Sequence, residues 1–427
     1  MPSAVAIFGS RQNNVLINEV GVPATATLNT GRIYAEIGNS VNTGLAIANP
    51  NNSSAAISFY FTDANGNPAG SSSTTLGPNE QIAKFLDESP FKALATSTFQ
   101  GTFSFTSSVP VAVVALRGFS NERGEFLMST LPVIDTSMGS GTGTIAVPHF
   151  ADGGGWTTQV LLVNPTENAM TGTLQFSNVD GSAINVTIGG QANSSFAYSI
   201  PKRTSQKFST SGVGTATASG SIRIIPAGGG AVPTPLIVFS YKPAGITVAH
   251  AGVPVISGNA FRTYVETSGV PGQVGSIDSG IAVANATSSS TTVTYEVADL
   301  NGRSIQGILP FTIGLPAFGQ TPKFLSDIFP SLPRPFKGTL RIASTGGVLS
   351  VVGLRARINE RGDFLITTTP PANENAPLPP EMYFPQVADG GGYTTQFILF
   401  SGALGQSPSG ILKFVKQDGS SLDLSLN

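Results

Sequence analysis

Two stretches of this chain are near-copies of each other: VPHFADGGGWTTQVLLVNP (Val147–Pro165) and FPQVADGGGYTTQFILF (Phe384–Phe400). Asp389 lies 237 residues after Asp152, at the same place in the motif. The recurrence includes the three turn glycines as well as the apolar positions. It therefore indicates a copied structural unit, which we name module B.

A second unit, module A, is also present twice. Its two versions of the last segment read VVALRGFSNERGEFLMSTLP (Val113–Pro132) and VVGLRARINERGDFLITTTP (Val351–Pro370). Arg355 lies 238 residues after Arg117, which is close to the interval in module B. The chain thus has the order A, B, A, B with one double-module period.

Both ends fall inside a B module. PSAVAIFGSRQNNVLINEVGVP (Pro2–Pro23) matches PTPLIVFSYKPAGITVAHAGVP (Pro233–Pro254), the closing strands of module B. We expect the two ends together to lack part of a module, and pairing of the first strands within or between chains stays open. The predicted division is 1–23 (closing strands of a truncated B-type module), 30–135 (A1), 145–254 (B1), 261–372 (A2) and 382–427 (first half of a truncated B-type module, B2).

Apolar residues alternate with polar ones in most segments, as in Ile57, Phe59 and Phe61. This period of two predicts half-buried antiparallel strands, and Asn-Gly and Asp-Gly pairs predict tight hairpins between them. We expect an all-β chain of tandem immunoglobulin-like antiparallel sandwiches, arranged as beads in series with an incomplete module at each end. The proline-rich segment Thr369–Pro385 predicts an extended spacer, and single helical turns are expected at Ile82–Leu86 and Lys323–Phe329.

Composition excludes several classes of function. The chain has 22 Lys+Arg against 24 Asp+Glu, so its charge gives no attraction to nucleic acid. It has no cysteine, which removes disulfides and thiolate metal sites. Its apolar runs are too short for a membrane helix, and no export signal is recognisable at the amino end. We expect no membrane insertion and no cofactor.

The elements ADGGGWTTQVLLVNP, GLAIANP, KFLDE and ALR…NERGEF resemble the immunoglobulin-like repeat modules found in tandem in large secreted and surface-anchored proteins of environmental bacteria. The resemblance covers nearly the whole chain. It implies a spacer, stalk or adhesion unit without an active site, located outside the cell or on its surface.

The D-G-G-G-aromatic-T-T-Q motif gives the candidate ligand-binding residues. In a functional interpretation, the aromatic ring would stack on a sugar beside polar side chains. In a structural interpretation, the glycines form a β-arch and the ring covers the end of the sandwich. The candidates are Asp152, Trp156, Gln159, Asp389, Tyr393 and Gln396.

Three other patterns favour structural interpretations. D-A-N-G-N (Asp63–Asn67) starts like a calcium loop but lacks the closing glutamate, so a hairpin turn is expected. The N-E-R-G-[ED] segments, with Arg117 or Arg355 upstream, predict cross-strand ion pairs around a hairpin. His149 and His250 have no metal-ligand partner at useful spacing.

The sequence therefore predicts a non-enzymatic structural or adhesive repeat region. Its partners would be other protein chains or surface polysaccharide, with homotypic association through the incomplete ends as a further option. Two alternatives stay open: a carbohydrate-binding sandwich module and a subunit of a self-assembling extracellular fibre.

Overall fold

A computed structural model describes residues 2–94, 96–377, 380–401 and 409–424. Within these ranges the chain is nearly all β, its strands pair antiparallel, and its one α-helix is α1 (Leu325–Ile328). The all-β prediction is confirmed at this level. None of the helices in the described part of the chain is long and apolar enough to cross a membrane.

The described residues form thirty-one strands, which are numbered here in chain order. The first two form a hairpin: β1 (Pro2–Gln12) and β2 (Val15–Pro23). In and beside A1 lie β3 (Thr27–Ile37), β4 (Val41–Ala48), β5 (Ala55–Asp63), β6 (Pro68–Leu76), β7 (Gln81–Phe85), β8 (Phe99–Ser120), β9 (Phe126–Leu131) and β10 (Ile134–Asp135). B1 contains β11 (Ile145–Asp152), β12 (Trp156–Val163), β13 (Met170–Asn178), β14 (Val186–Ile188), β15 (Gln191–Asn193), β16 (Ser195–Ile200), β17 (Ser205–Ser209), β18 (Ala218–Pro226), β19 (Thr234–Tyr241) and β20 (Ala249–Pro254).

The remaining strands belong to A2 and the last segment. In and beside A2 lie β21 (Ser257–Gly258), β22 (Ala260–Ser268), β23 (Ile277–Asn285), β24 (Thr291–Asp299), β25 (Phe311–Leu315), β26 (Gln320–Phe324), β27 (Phe336–Ser344), β28 (Leu349–Ile358), β29 (Phe364–Thr368) and β30 (Ala372–Asn373), and the last strand is β31 (Tyr393–Ser401). The helical turn expected at Lys323–Phe329 contains α1. The turn expected at Ile82–Leu86 is wrong, because β7 pairs there with β4.

A1 and A2 have the same strand pairing. In A1 the long strand β8 pairs with β3 and β5 through its first half, and with β4 and β9 through its second half. In A2 two strands take the place of β8. β27 pairs with β22 and β24, and β28 pairs with β23 and β29. Phenylalanines fill the A1 core, where the ring centroids of Phe59 and Phe103 are 5.2 Å apart.

B1 is built from two four-stranded sheets with the orders β11-β18-β13-β16 and β17-β12-β19-β20. Alternation along β12 gives its sheet two buried faces. Val160 and Leu162 pack against the other B1 sheet, whereas Leu161 and Val163 belong to the core of A1. One face of B1 is therefore covered by its neighbour.

The two ends of the chain pair with each other. β31 pairs with β1 and β1 with β2, which gives a three-stranded sheet that we name the terminal sheet. Its order repeats β12-β19-β20 of B1. In this structure the first strands therefore pair within the same chain.

Hydrophobic clusters join the parts into a closed ring. The A1 core includes Leu161 and Leu236 of B1, and the B1 core includes Ala282 and Val352 of A2. A2 and A1 each contact the terminal sheet, through clusters that contain Tyr264, Val5 and Ile398 on one side and Ala46, Val114 and Phe8 on the other. The predicted beads in series are not what these contacts show, because apolar faces of each module are buried by its neighbours.

The predicted proline-rich spacer also lies against the body. β30 pairs with β22, and Glu374 accepts hydrogen bonds from Arg262 and Arg341, each at 2.9 Å. Thr25 and Tyr383 form a further antiparallel bridge. The described parts of this segment therefore do not hold modules apart.

Four strands from different parts of the ring contact one another: β2, β9, β20 and β29. The Thr130 hydroxyl donates to the Gly21 carbonyl oxygen at 2.6 Å, and the Thr368 hydroxyl donates to the Gly252 carbonyl oxygen at 2.6 Å. Thr130 and Thr368 occupy matching positions in the two A modules. We name this meeting point the central junction.

Candidate functional site

The Gly-rich loops adopt the same backbone conformation in both copies. Gly153, Gly154 and Gly155 have φ angles of 84°, 60° and 90°, and the three glycines of the second loop have 86°, 60° and 91°. Side chains disfavour this left-handed region, so glycine is favoured at each position. In the first copy an added Cβ on Gly153 would lie 2.5 Å from the Ala216 carbonyl oxygen.

Trp156 lies in an aromatic group rather than alone. Its ring stacks on Tyr241, with centroids 4.5 Å apart and planes inclined by 25°. Phe364 of A2 meets both rings edge-on, at 6.2 Å from Trp156 and 6.0 Å from Tyr241. One face of Trp156 is thus covered, and the group joins B1 to A2.

The polar candidate residues at the first loop are Asp152 and Gln159. A carboxylate oxygen of Asp152 accepts a hydrogen bond from the backbone N–H of Gly212 at 2.8 Å. The buried Oε1 of Gln159 has no hydrogen-bond partner among the described residues. Neither observation identifies a ligand, so binding at this loop stays a prediction.

In the second loop the candidates are more exposed. Asp389 and Gln396 are exposed, and Tyr393 is half-buried. Tyr393 lies opposite Ser10 in the terminal sheet, at the position where Trp156 lies opposite Tyr241. The structure does not give the two loops the same aromatic surroundings.

Each N-E-R-G hairpin of the A modules forms two hydrogen bonds with one backbone residue in the closing segment of a B-type module. Glu122 accepts from the N–H of Thr247 at 2.7 Å, and Asn121 donates to the carbonyl oxygen of the same residue at 2.8 Å. In the other copy Glu360 and Asn359 hold Leu16 in the same way, at 2.8 Å and 2.9 Å. The motif therefore binds a neighbouring module.

The two hairpins also exchange ion pairs. Arg123 of A1 contacts Asp363 of A2 at 2.9 Å, and Arg361 of A2 contacts Glu125 of A1 at 2.5 Å. Reciprocal contacts of this kind are typical of an approximate two-fold relation. The sequence predicts cross-strand ion pairs around each hairpin. Arg361 and Asp363 pair at 2.9 Å, but both lie in the turn between β28 and β29, and the sequence does not predict the pairs between modules.

Arg117 and Arg355 lie buried at matching positions with different partners. Arg117 contacts Glu36 at 3.2 Å and the Nε2 atom of His250 at 2.9 Å. Arg355 contacts two carboxylates, Glu266 at 3.1 Å and Glu19.

The Arg117 and Arg355 sites also differ in the residue that lies two positions after each arginine. Where A1 has Phe119, whose ring stacks on His250 at 5.4 Å, A2 has Arg357, which pairs with Glu19 at 3.3 Å. The His-Phe pair of one site is thus replaced by a Glu-Arg pair in the other. A comparison of the two copies in the sequence contains this signal, but it does not show that the residues touch.

Several carboxylates are held in the charged form. Partial burial raises the pKa of Glu122, but hydrogen bonds from Lys242 and the Thr247 N–H outweigh it and lower the pKa to about 2. The pKa of Glu360 is lowered to about 2 in the same manner by Leu16 and Arg11. These groups serve as acceptors, which is unlike a general acid poised to donate a proton.

Both histidines are held neutral. Burial lowers the pKa of His149 to about 4, and its Nδ1 lies 3.0 Å from the amide nitrogen of Gln320. Burial and then the charge of Arg117 lower the pKa of His250 well below its usual range. No group of three metal-ligating side chains occurs within the described ranges.

We expect the free energy of unfolding to fall as the pH drops from 7 to 5. His149 takes up a proton near pH 6.5 when unfolded but only near pH 4 when folded, so acid favours the unfolded chain in this window. The loss from this residue is about 1–2 kcal/mol, measured by urea denaturation at each pH. Glu122 and Glu360 do not contribute here, since their stabilisation is lost only below about pH 4.5.

The second copy supplies the control for this experiment. Gln386 stands where the first copy has His149, and it contacts Gln81 as His149 contacts Gln320. His149→Gln should therefore fold and reduce the slope of stability against pH. An unchanged slope in this variant would show that His149 does not sense pH.

The D-A-N-G-N segment is a hairpin turn. One oxygen of Asp63 accepts from the backbone N–H groups of Asn65 and Asn67, at 2.9 Å and 2.8 Å. β5 and β6 pair on either side of it. Asp63 thus caps its own turn.

Comparisons with known proteins give little further information. No protein-family model matches the chain, and no curated protein is significantly similar to it. One similar solved structure is described as "Crystal Structure of Thermotoga maritima 1070". It is 14% identical, and the match covers 26% of this chain and 98% of that one with a TM-score of 0.22. A likeness of that extent carries no argument about fold or function.

Proposed function

We propose that the chain is a non-catalytic structural region of a secreted or cell-surface protein, built from tandem immunoglobulin-like modules that act together as one rigid block. The observation that carries the proposal is that side chains of the N-E-R-G motif form hydrogen bonds and ion pairs with neighbouring modules. Its asparagine, glutamate and arginine bind neighbouring modules in both copies. These repeated residues therefore hold the modules of the ring together.

Two further features favour a structural role. Half-buried charges also pair between modules, as for Lys207 of B1 with Glu36 of A1 at 2.5 Å. Apolar clusters also cross each boundary between neighbouring modules. A block of this kind suits a spacer or a rigid platform more than a flexible stalk.

Location is the part of the proposal that an experiment can test most directly. Intact cells that produce the protein are labelled with an antibody against this chain, before and after treatment with an external protease. We expect labelling of intact cells and its loss after protease treatment. Labelling that requires permeabilised cells, with an intracellular protein as the positive control, would contradict an extracellular role.

A further inference from the structure

Both histidines of the chain lie at the boundaries of B1 with its two neighbours. His250 of β20 is 3% exposed, and its Nε2 atom lies 2.9 Å from a guanidinium nitrogen of Arg117 in A1. His149 of β11 is half-buried, and its Nδ1 atom lies 3.0 Å from the side-chain nitrogen of Gln320 in A2. One imidazole therefore lies at each of the two boundaries.

The corresponding positions of the terminal sheet have other side chains. Glu19 stands where B1 has His250, and Gln386 stands where B1 has His149. Glu19 is paired with Arg355 of A2, whereas His250 has no carboxylate partner. Only the boundaries of B1 therefore place an imidazole against a neighbouring module.

The positive charge of a protonated His250 would meet a second positive charge. β20 packs mainly against β9, β19 and β29, and none of these three strands contains a charged residue. The charged groups near this boundary are already paired with one another: Glu36 with Arg117 and Lys207, and Glu122 with Lys242. Protonation of His250 would therefore place two like charges 2.9 Å apart in a buried site, and separation of B1 from A1 would relieve their repulsion.

A protonated His149 has no acidic partner among the described residues either. Its ring contacts Gln320 and lies 5.6 Å from the ring of Phe239, measured between centroids. Burial is the one cause of its lowered pKa, so no neighbouring charge stabilises the protonated ring. The strands packed against β11 contain these charged residues: Arg223, Asp278, Lys323, Arg355 and Arg357. The acidic residue among them, Asp278, pairs with Arg334 instead.

We propose that mild acid releases B1 from A1 and A2, whereas the terminal sheet stays attached to both. The ring is closed at neutral pH and opens at B1 in acid, which goes beyond the rigid block proposed above. A solvated imidazole takes up a proton at about pH 6.5, so acid favours the separated modules as long as the closed ring keeps the histidines neutral. For each histidine, the ratio of separated to closed modules rises by about thirtyfold from pH 7.5 to pH 5.

Four backbone amides of the full chain report the boundaries separately by hydrogen exchange. Thr247 donates its N–H to Glu122 across the A1 boundary of B1, and Gln320 donates its N–H across the A2 boundary. The matching amides at the terminal sheet belong to Leu16 and Gln81. Between pH 7.5 and pH 5, after correction for the intrinsic exchange rate, protection of the first pair should fall about tenfold or more and that of the second pair less than about threefold. Equal changes at all four amides would overturn the proposal.

Substitution of each histidine tests its own boundary. His149→Gln introduces the residue that the second copy has, and it should remove the acid response at Gln320 but not at Thr247. His250→Gln keeps an acceptor for Arg117, and it should remove the response at Thr247 but not at Gln320.

A second variant of the A1 boundary copies the other site. His250→Glu with Phe119→Arg reproduces the pair that Glu19 and Arg357 form, and it should also remove the response at Thr247. Unchanged protection of the four amides at pH 7.5 shows that a variant has folded with a closed ring. An acid response that persists when both histidines are replaced would contradict the proposal.

Discussion

Arg355→Ala is expected to lower the free energy of unfolding by about 3–5 kcal/mol, the largest effect that we predict for a single side chain. Arg355 is 4% exposed and lies between the carboxylates of Glu19 and Glu266, which are also buried. Its removal leaves two buried carboxylates close together, with only the more exposed Arg357 beside Glu19 at 3.3 Å and Lys337 beside Glu266 at 3.8 Å. Urea denaturation at pH 7 measures the loss.

A surface pair provides the comparison. Arg11 contacts Glu360 at 2.8 Å with both side chains more than one third exposed, so Arg11→Ala should change stability by no more than about 1 kcal/mol. Arg117→Ala should fall between the two, because it leaves a single carboxylate, Glu36, which keeps Lys207, beside a neutral His250. Equal effects of the three substitutions would show that burial of the Arg355 site is not what matters.

The loss of stability caused by Arg355→Ala should be greatest where the terminal sheet contacts A2. Glu19 belongs to β2 of the terminal sheet, whereas Arg355 and Glu266 belong to A2. Hydrogen exchange of residues 15–23 should therefore accelerate more than that of the A1 core. Adding Glu19→Gln to Arg355→Ala should recover part of the lost stability, because it removes one of the two carboxylates that would otherwise repel each other.

Local structure could be predicted well from the sequence because it depends on neighbouring residues. The Asn65-Gly66 and Asp180-Gly181 pairs specify turns through the positive φ of glycine, and the structure has φ of 83° and 86° at these two glycines. The alternation Ile57, Phe59, Phe61 gives one buried face, and all three are buried in the A1 core. The period of two needs no knowledge of the rest of the fold.

The arrangement of the modules could not be predicted in this way. The sequence places Leu161 and Val163 on the second face of a strand, but it does not predict that A1 covers that face. Glu122 and Thr247 are 125 residues apart, and only the closed ring brings them together. Only 11% of the residues are charged, and composition does not indicate that several of these charges are buried between modules.

The glycines of the central junction allow the backbones of neighbouring modules to approach closely. Gly252→Ala is therefore expected to destabilise the chain by about 3 kcal/mol. A Cβ added at Gly252 would lie 2.1 Å from the Thr130 carbonyl oxygen, and one at Gly21 would lie 1.8 Å from that of Thr368. Backbone atoms cannot turn away as a side chain can, so β20 and β9 would have to separate. The loss is measured by urea denaturation, together with hydrogen exchange at Thr130.

Gly314→Ala is the control, since Gly314 also lies in a strand but has no atom within 4 Å of an added Cβ. This variant should keep or slightly raise stability, because alanine restricts the unfolded chain. Gly21→Ala should resemble Gly252→Ala, and the double variant should lose less than the sum of the two, because the first substitution already opens the junction. If Gly252→Ala behaved like Gly314→Ala, the four strands would not be in contact in solution, and the modules would be joined only by the chain between them.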